Sequence, residues 1–466
     1  MNDDRNLERT IASTYEETAP PREPRGLLDD ILLTTRQTRQ RPSWLALIKE
    51  PPMRISSSIA VGSPTVRVAA IMVATLLIAL VVVGAGIAGS RLLAADGNII
   101  VDQNGGGDYT TITAAVEAAL DGDTILVKPG TYAEHLLITE AITLEGDGEP
   151  DEIVLEFTDE GQRVEGDDVP YGIWFKDSDA VVRNLTVRGP QVARAIAIDR
   201  GAPTLEHLVV DLEFPFADRT REALSIVDGS TAFLNDVSMN AWLGIIEASP
   251  TIESSRISCG TSIEGPGSDA VLRSNVFRDD LPGEAACGWG LVIENGASPT
   301  LEDNDISMQS GGVEISGPGT APVIKGNRIH DIGTLVSAGE GAEPRTVSES
   351  LTQRAISVTS RAEPLILSNE LTGNGAGIFI GNADPIVEGN TITNGTTGID
   401  LVRSSATLTD NIVREMIANG IAISTDSRPS LVGNRSCDNG RNLFVDEASS
   451  PQLDESNEIC ADASPR

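Results

Sequence analysis

The stretch that decides the fold is PTLEDNDI at 299–306, because similar segments recur along the C-terminal two thirds of the chain. The others are PTLEHL at 203, PTIESSRI at 250, AVLRSNVF at 270, PVIKGNRI at 322, PLILSNEL at 364, PIVEGNTI at 385, ATLTDNIV at 406 and PSLVGNRS at 429. Most begin 20 to 23 residues apart, and the 42-residue gap from 322 to 364 is twice 21. Self-similarity at a short fixed period predicts a stacked array in which each unit buries its apolar face against the next.

Each unit has apolar positions and one polar position that hardly vary. The third residue is apolar throughout, and these residues are Leu205, Ile252, Leu272, Leu301, Ile324, Ile366, Val387, Leu408 and Leu431. The sixth position is a column of asparagines formed by Asn275, Asn304, Asn327, Asn369, Asn390, Asn411 and Asn434. Asparagine tolerates the left-handed backbone conformation and can hydrogen-bond in stacked ladders. We therefore expect the chain to turn between strands at this column.

A second run of alternating apolar residues follows some ten residues after many segments. Examples are GLVIENG at 290, GVEISG at 312, GIFIGN at 377, GIDLV at 398 and GIAIS at 420. Period-two alternation of this kind is typical of a strand with one buried face. Two or three short strands per turn, stacked in parallel, form a parallel β-helix of about 13 to 16 coils. The LxxLxL pattern of leucine-rich repeats is missing, and a propeller blade needs about twice this period.

The N-terminal end of the array carries a helical signal. Within GGDYTTITAAVEAALDGDTILVKPGTY at 106–132, residues 110–120 have apolar residues at helical spacing and end at Asp121-Gly122. We interpret them as a helix that caps the open end of the stack, since an uncovered sheet edge invites aggregation. This opening, followed by ITLEGDG at 142, resembles the N-terminal entry of pectin-lyase-like right-handed β-helix proteins. The later units resemble the parallel β-helix repeats of that superfamily, including its NosD-like group.

The resemblance covers residues 98–460 and implies an all-β fold, a right-handed parallel β-helix with a short N-terminal capping helix. It does not carry an activity with it. Pectinesterases use a Gln-Asp strand motif, and the early strand segments here lack it: YGIWF at 171, AIAID at 195, LSIVDG at 224 and GIIEA at 244. A solenoid is a scaffold, so function has to be argued from the sites that it carries.

Residues 68–90 contain no charged residue and are long enough to cross a bilayer as a helix. Basic residues lie shortly before this segment, whereas none occurs between Arg91 and Lys128. The positive-inside rule then predicts a single-pass anchor in the cell membrane with a cytoplasmic N-terminus. A cleaved signal peptide is the alternative, which the long preceding segment disfavours. The predicted parts are a cytoplasmic segment 1–67, a transmembrane helix 68–90, a linker 91–97 and an extracellular β-helix 98–466.

The cytoplasmic segment is largely linker-like, with EETAPPREPRG at 16–26. GLLDDILLTTRQ at 26–37 predicts a short amphipathic helix. The segment loosely resembles the cytosolic stubs of bacterial anti-sigma-type membrane proteins, but it contains no Cys or His, which excludes a zinc-bearing version. A cytosolic partner of 1–67 and an inert juxtamembrane stub are the two interpretations.

Charge is unevenly distributed along the chain, which has a formal net charge of −35. Residues 1–67 carry +1, so the part beyond them carries −36. A domain this acidic repels nucleic acid and anionic lipid, so we expect no nucleic-acid partner. The acidic surface could collect Ca²⁺, although no motif requires a metal or another cofactor, and a solvated surface explains the charge equally well.

All four cysteines follow the predicted membrane segment. Cys437 and Cys460 are 23 residues apart, at nearly equal positions in their units, so they should stack on adjacent coils as a disulfide. Cys259 and Cys287 form the other predicted pair. Disulfides agree with an extracellular compartment, and the spacings do not match a CxxC metal motif.

Aromatic side chains, which form stacking platforms in many sugar-binding faces, make up only 3% of the residues. Long connections that interrupt the period are where sites are usually built on a rigid scaffold. The aromatic and acidic residues near such connections are the candidate ligand-binding residues: Asp167, Asp168, Tyr171, Trp174, Trp242 and Trp289. Core filling is the alternative for the tryptophans.

Two groups of charged residues could in principle neutralise a uronate and abstract its proton. They are Asp177, Asp179 and Arg183, and Asp218, Arg219 and Arg221. Because acidic and basic residues are common on the outer face of any β-helix, we assign no catalytic residue and no metal ligand.

The sequence thus predicts a membrane-anchored extracellular β-helix that binds a polysaccharide or another extended polymer at the cell surface without catalysis. A polysaccharide-active lyase or hydrolase is the first alternative, and a structural stalk or adhesion rod is the second. The enzyme requires carboxylates that converge in one groove, whereas the stalk predicts a featureless polar surface.

Overall fold

The structure is a computed structural model, and it describes residues 98–158, 170–190, 194–213, 222–279, 288–335, 345–346 and 353–462. These residues belong to one compact unit, Ala94–Arg466. Within them, no helix is long and apolar enough to cross a membrane. The predicted anchor 68–90 and its flanking segments 1–67 and 91–97 lie outside the described residues.

Short strands make up almost all of the regular structure in these described residues. The first twenty are β1 Ile99–Val101, β2 Thr124–Val127, β3 Gly130–Ala133, β4 Leu136–Ile138, β5 Thr143–Gly146, β6 Ile153–Glu156, β7 Tyr171–Lys176, β8 Val181–Pro190, β9 Arg194–Asp199, β10 Thr204–Glu213, β11 Glu222–Val227, β12 Phe233–Met239, β13 Trp242–Ile246, β14 Thr251–Glu253, β15 Arg256–Ile257, β16 Thr261–Glu264, β17 Val271–Arg273, β18 Val276–Arg278, β19 Trp289–Glu294 and β20 Thr300–Glu302. The others are β21 Asp305–Ser307, β22 Gly311–Ser316, β23 Val323–Lys325, β24 Arg328–His330, β25 Thr334–Leu335, β26 Arg345–Thr346, β27 Arg354–Thr359, β28 Leu365–Leu367, β29 Glu370–Thr372, β30 Ala376–Gly381, β31 Ile386–Glu388, β32 Thr391–Val402, β33 Thr407–Thr409, β34 Ile412–Ser424, β35 Ser430–Val432, β36 Arg435–Cys437, β37 Arg441–Val445, β38 Gln452–Leu453 and β39 Glu458–Ile459. The described helices are α1, Ile112–Ala118, and a 3-10 turn, Pro150–Glu152.

Of these strands, 37 form one continuous parallel assembly, and β25 and β26 form a separate antiparallel pair. The parallel strands divide into three sheets that follow one another around each coil. Sheet A contains β1, β2, β5, β8, β10, β12, β14, β17, β20, β23, β28, β31, β33, β35 and β38. Sheet B contains β3, β6, β8, β10, β12, β15, β18, β21, β24, β29, β32, β34, β36 and β39. Sheet C contains β4, β7, β9, β11, β13, β16, β19, β22, β27, β30, β32, β34 and β37.

The described coils therefore number thirteen to fifteen according to the sheet, within the predicted range. Five long strands turn a corner and belong to two sheets, namely β8, β10, β12, β32 and β34. The all-β parallel solenoid is confirmed.

The core is a stack of aliphatic side chains that are aligned from coil to coil. Leu301 pairs in register with Leu272 on one side and with Ile324 on the other. The third residues of the repeat are all fully buried, as predicted. Burial of aliphatic side chains is the main favourable contribution to folding, at roughly 25 cal/mol per Å² of apolar surface. Each coil thus holds its neighbours through the same positions of the repeat.

The asparagine column forms a continuous ladder at the corner between sheets A and B. The side-chain amide of Asn304 donates to Oδ1 of Asn327 at 2.9 Å, and the backbone N–H of Asn304 donates to the same oxygen at 3.0 Å. The amide also donates to the carbonyl of Leu272 at 2.9 Å. The same links connect Asn275, Asn304, Asn327, Asn369, Asn390, Asn411, Asn434 and Asn457. The ladder was predicted from the repeat up to Asn434, and it continues for one further coil.

One detail of that prediction is wrong, because the left-handed residue at the corner precedes the asparagine. Asp303 and Ser368 have φ of 55° and 54°, whereas Asn304 and Asn369 are not among the residues with positive φ. The left-handed positions are Ser274, Asp303, Gly326, Ser368, Gly389, Asp410 and Gly433. The turn at this position allows the next side chain to point inward, where the buried amide can bond along the stack. The asparagine is therefore selected for its amide and not for its backbone.

The capping helix is confirmed, with tighter limits than predicted. The α1 helix begins after Thr111, whose hydroxyl accepts from the Ala114 N–H, and it ends at Ala118. Ile112, Ala115 and Val116 are buried in the same core as the first strands. An amphipathic helix of this length is held by such packing more than by its intrinsic propensity.

The long gap in the repeat is one enlarged coil and not two. Val323 pairs directly with Leu365, and Ile324 pairs with Ile366, although 42 residues separate the partners in sequence. The additional chain leaves after β24 and returns at β27, and it includes the antiparallel pair β25–β26. The apparent doubling of the period was therefore coincidental.

The predicted disulfide between Cys437 and Cys460 is present and joins two adjacent coils, with the Cα atoms 5.0 Å apart. Cys437 ends β36, which pairs with β39 just before Cys460. Cys259 is also disulfide-bonded. Its predicted partner, Cys287, lies outside the described residues.

Candidate functional site

Sheet C presents one column of outward-facing side chains that stay in register over its whole length. The flanking residues of each strand point into the core, as Val313 and Ile315 do on either side of Glu314. We call this set the central column: Leu137, Trp174, Ala197, Ser225, Gly244, Ser262, Val292, Glu314, Ser357, Phe379, Asp400, Ala422 and Phe444. Consecutive members are one strand spacing apart, about 4.8 Å.

A partly buried cluster lies on the C-terminal half of this column, and we call it the Arg354 cluster: Glu314, Arg354, Ser357, Phe379 and Asp400. The guanidinium carbon of Arg354 is 3.4 Å from the ring centroid of Phe379. One guanidinium N–H donates to the Ser357 hydroxyl at 3.4 Å. Because Phe379 lies between Ser357 and Asp400 in the column, the guanidinium lies over the column between the two carboxylates.

The backbone next to the stacked ring is adapted to it. A Cβ at position 381 would lie 2.9 Å from Cε1 of Phe379, so the ring occupies the space above Gly381. A glycine at this point lets the ring lie flat against the sheet. The guanidinium of Arg354 covers the other face of the ring, so the outer planar surface of the cluster is the guanidinium itself.

Burial dominates the electrostatics of the cluster. It raises the pKa of Asp400, and the positive charge of Arg354 opposes that rise. Burial also raises the pKa of Glu314, helped by repulsion from Glu294 and opposed by Arg354. The pKa of Arg354 is lowered by burial, while Asp400 and Glu314 act in the opposite direction. Charged groups that are taken partly out of water in this way are candidates for a functional site.

Two of the predicted ligand-binding residues, Tyr171 and Trp174, form a small packed group on the outside of sheet C. Their exposures are 1% and 6%, and their rings meet edge to face at 5.4 Å, with Ala197 completing the group. Lys176 lies over the Trp174 ring at 5.0 Å from its centroid. Neither ring offers an open face in this structure, and a ligand-binding role for them stays a prediction.

Trp242 and Trp289 are partly buried at the start of two sheet C strands. The Trp242 ring packs over Gly260, where a Cβ would lie 2.6 Å from Cη2, and Trp289 packs over Gly311 in the same manner. All four described aromatic candidates therefore lie on sheet C, although they do not converge on one point. Asp167 and Asp168 lie outside the described residues.

The charged group Asp177, Asp179 and Arg183, which could in principle abstract a proton, does not stay together. Its members bind partners on neighbouring coils instead. Arg200 donates to both oxygens of Asp177, at 2.6 and 3.0 Å, and this hydrogen-bonded partner lowers the pKa of Asp177. Arg183 pairs instead with Glu145 at 2.7 Å, and Asp179 accepts the backbone N–H of Ala202. These residues do not form a joint site. Asp218, Arg219 and Arg221 lie outside the described residues.

Among the described residues, one group of three metal-ligating side chains lies close together, namely Cys437, Glu458 and Cys460. Its two sulfurs are joined in the disulfide and are not thiolates, so the group does not suit a metal ion as it stands. The Arg354 cluster carries a cation between its carboxylates, which is also unsuitable for Ca²⁺.

The residues of the Arg354 cluster were not among the predicted site residues, although a pattern in the sequence indicates their common position. When the second strand segments are aligned, GVEIS, AISVT, GIFIG and GIDLV place Glu314, Ser357, Phe379 and Asp400 at one position. That position varies in chemistry from coil to coil, whereas its apolar neighbours do not. Variation within a strict repeat marks the outer face, where a site can be built.

Part of the chain matches a known family, described as "Right handed beta helix region", over residues 260–436 and 354–461. A stretch of 106 residues is 37% identical to human SHC SH2 domain-binding protein 1, from Homo sapiens. That stretch amounts to 22% of this chain and 14% of the human protein, so the chain spans a small part of the length of that relative.

Solved structures with a similar course of the chain include the periplasmic alginate epimerase AlgG, at 13% identity over 72% of this chain and 76% of that chain, with a TM-score of 0.38. A GH87 alpha-1,3-glucanase from Streptomyces thermodiastaticus strain HF3-3 shows 14% identity over 78% and 68%, with a TM-score of 0.39. Pectin methylesterase from carrot shows 13% identity over 68% and 83%, with a TM-score of 0.28. Likenesses at this level carry no argument about activity. The three parallel sheets show that the described residues form a parallel β-helix, and its C-terminal part, residues 260–461, matches the right-handed β-helix family.

Proposed function

We propose that the protein binds an extended polysaccharide along the outer face of sheet C, without cleaving it. The observation that carries this proposal is the stack of Arg354 on Phe379 in the central column, between Glu314 and Asp400. The flat outer face of the guanidinium, which is backed by the Phe379 ring, fits the apolar face of a sugar ring. The flanking carboxylates are acceptors for its hydroxyl groups. A few placed polar groups on a largely apolar surface are typical of a ligand site.

The position of Arg354 relative to the acids supports binding over catalysis. Glu314 and Asp400 belong to strands three coils apart in the same column. The paired carboxyl groups of glycosidases face each other with the scissile bond between them. Here the guanidinium of Arg354 lies over the column between the acids. This arrangement suits a subsite that holds a sugar unit more than one that protonates a leaving group.

The charge of the protein indicates the kind of polymer. A chain with a net charge of −35 repels a polyanion at long range, whereas it attracts a cationic polymer and is indifferent to a neutral one. The Arg354 cluster itself contains two acids and one base. We therefore expect a neutral glycan or an amino-sugar polymer to bind more tightly than a uronate polymer.

The test is to incubate the full-length chain with a panel of neutral, amino-sugar and uronic-acid polysaccharides, with and without Ca²⁺. Retention and the release of reducing or unsaturated ends are both measured. Arg354→Ala and Phe379→Ala should each weaken retention about tenfold, because they remove the stacked face. Arg428→Ala makes the same charge change at an exposed turn, next to Asp426, and should leave retention unchanged.

If the protein releases products and Asp400→Asn abolishes that release, the protein is an enzyme and the proposed non-catalytic role is wrong. If the polysaccharide is retained and none of the sheet C variants changes that retention, the ligand binds elsewhere on the protein. The absence of both retention and product across the panel would favour the structural stalk.

For the location we propose a single-pass anchor at 68–90 that holds the β-helix outside the cell. The uncharged segment, the basic residues before it and the disulfide of the solenoid support this. Protease treatment of intact cells should remove the epitope of a C-terminal tag and spare an N-terminal one. Loss of both tags, or of neither, would contradict this topology.

A further inference from the structure

We infer that a cleft around Asp199, on the N-terminal half of the same sheet, is a second sugar subsite for the polymer held at the Arg354 cluster. This inference rests on the proposed function and adds a second contact point to it. The cleft has a volume of about 220 Å³. Its lining includes Arg194, Ala197, Asp199, Ser225, Val227 and Ile246.

The cleft is built by three neighbouring strands of sheet C. Ala197 and Ser225 are consecutive members of the central column, and Asp199 and Val227 are the matching pair two residues further along the strands. Ile246 continues that second row and is 39% exposed. The lining thus combines an aliphatic surface with an acid, a hydroxyl and the guanidinium of Arg194.

Asp199 is the unusual group in this cleft. Its Oδ1 is buried and accepts no hydrogen bond, and its Oδ2 is 3.7 Å from the Arg200 guanidinium, beyond hydrogen-bond distance. The side chain is 18% exposed. Burial raises the pKa of this carboxyl, with repulsion from Asp228 and Asp177 acting in the same direction against Arg200 and Lys176. A buried polar atom without a partner is costly, and it often marks a place that a ligand completes.

The chemistry of the lining indicates the ligand class. The partly exposed carboxylate of Asp199 requires a donor, which a sugar hydroxyl or the ammonium of an amino sugar supplies. Ser225 can donate to or accept from a second hydroxyl. The aliphatic surface of Val227 and Ile246 fits the apolar C–H face of the ring. The cleft is therefore suited to one unit of a neutral or amino-sugar chain and not to a uronate, whose carboxylate would meet Asp199.

The distance between the two sites sets a length requirement. Ser225 and Phe379 belong to the same column and are six coils apart, which corresponds to about 29 Å. A disaccharide is shorter than this distance and can occupy one site at a time. An octasaccharide is longer and can occupy both sites, so that its second contact is intramolecular.

The experiment compares a disaccharide with an octasaccharide, each made of β-1,4-linked glucose or of β-1,4-linked glucosamine, by titration calorimetry on the full-length chain. The octasaccharide should bind the unmodified protein about 100-fold more tightly than the disaccharide. Asp199→Asn should reduce that ratio to below about tenfold, while disaccharide binding at the Arg354 cluster persists. Asp228→Asn, at an exposed position next to the cleft, is the matched control and should leave the ratio unchanged.

A second measurement separates a binding role of Asp199 from a structural one. If the carboxylate is kept for a ligand, Asp199→Asn should leave the melting temperature of the free protein unchanged or raise it, because it removes a buried charge. A lowered melting temperature would show that Asp199 supports the fold, and the inference would be withdrawn.

The two proposals fail in different ways. If Arg354→Ala weakens binding of the octasaccharide and Asp199→Asn does not, the cleft is not a subsite and the proposed function stands. If the unmodified protein binds neither oligosaccharide series and no polymer of the panel, the proposed function itself is wrong.

Discussion

Asn390 donates its side-chain amide to Oδ1 of Asn411 in the next coil at 3.0 Å, and its backbone N–H reaches the same oxygen at 3.0 Å. The amide also donates to the carbonyl of Ile366 in the preceding coil at 2.8 Å. The side chain is fully buried. One asparagine therefore joins three successive coils through bonds that water cannot replace.

Asn390→Ala should lower the free energy of unfolding by about 4 kcal/mol. The change leaves two donors of Asn369, which bond to Oδ1 of Asn390 at 2.9 Å, without a partner in the interior. Urea unfolding followed by circular dichroism measures the loss. Asn104→Ala, at an exposed turn, is the control and should change stability by less than about 0.5 kcal/mol. A loss below about 1 kcal/mol at Asn390 would show that the ladder contributes little.

The left-handed corner predicts opposite effects for two neighbouring coils. Gly389 has φ of +67°, and an added Cβ would lie 3.3 Å from the Ser368 hydroxyl, so Gly389→Ala should cost about 1–2 kcal/mol through backbone strain. Ser368 has φ of 54°, and Ser368→Gly should gain about 0.5 kcal/mol, since the relief of strain exceeds the entropy that glycine loses on folding. Thermal unfolding of both variants tests the pair. Destabilisation by Ser368→Gly would mean that the serine side chain holds the corner.

The raised pKa of Asp400 predicts a pH-dependent stability. A carboxyl whose pKa is higher in the folded state than in the unfolded chain binds its proton more tightly when the protein is folded. Its contribution to stability therefore falls as the pH rises from the unfolded pKa to the folded pKa. The interval begins at the ordinary value of 3.8 and ends at the raised value. Asp400→Asn should therefore raise the melting temperature at pH 7, and this gain should shrink as pH falls through the interval. A gain that does not depend on pH would contradict the assignment.

The disulfide at the C-terminal end predicts a local effect. Removal of the link with Cys437→Ser and Cys460→Ser opens a loop of 23 residues, which should cost about 3 kcal/mol. Because each coil contacts only its neighbours, the loss should be confined to the last coils. Hydrogen exchange should accelerate in β36 and β39 and stay unchanged in β28. Faster exchange throughout the stack would instead indicate a single cooperative unit.

The interior could be predicted from the sequence because the repeat applies one constraint many times. Leu301 and Ile324 occupy the same position of two units. Once the side chain at this position is assigned to the core, the register of all strands of sheet A follows. The asparagine column was identified for the same reason. The backbone conformation at Asp303 was not, since left-handed geometry is open to Gly, Asp and Ser alike, and no residue type is common to the column.

The Arg354 cluster could not be predicted with the same ease. Outward residues of a solenoid are free to differ, so Glu314, Phe379 and Asp400 share a position in the repeat but no common residue type. Their burial and the stacking of Arg354 across a coil depend on side-chain conformations that the period does not encode. Tyr171 and Trp174, which were predicted as ligand-binding aromatics, also lie on sheet C but are buried against each other.

The 42-residue coil has a consequence for how this protein can change in evolution. Asn327 bonds to Asn369 at 3.0 Å across it, as closely as the other members of the ladder bond across 21 or 23 residues. The pairing of the coils therefore does not depend on the length of the connection between β24 and β27. The entropic cost of closing a longer connection rises slowly with its length. A corner of this kind can gain or lose whole segments by insertion and deletion while the frame beneath stays intact. New specificities beside the Arg354 cluster can thus arise without a redesign of the core.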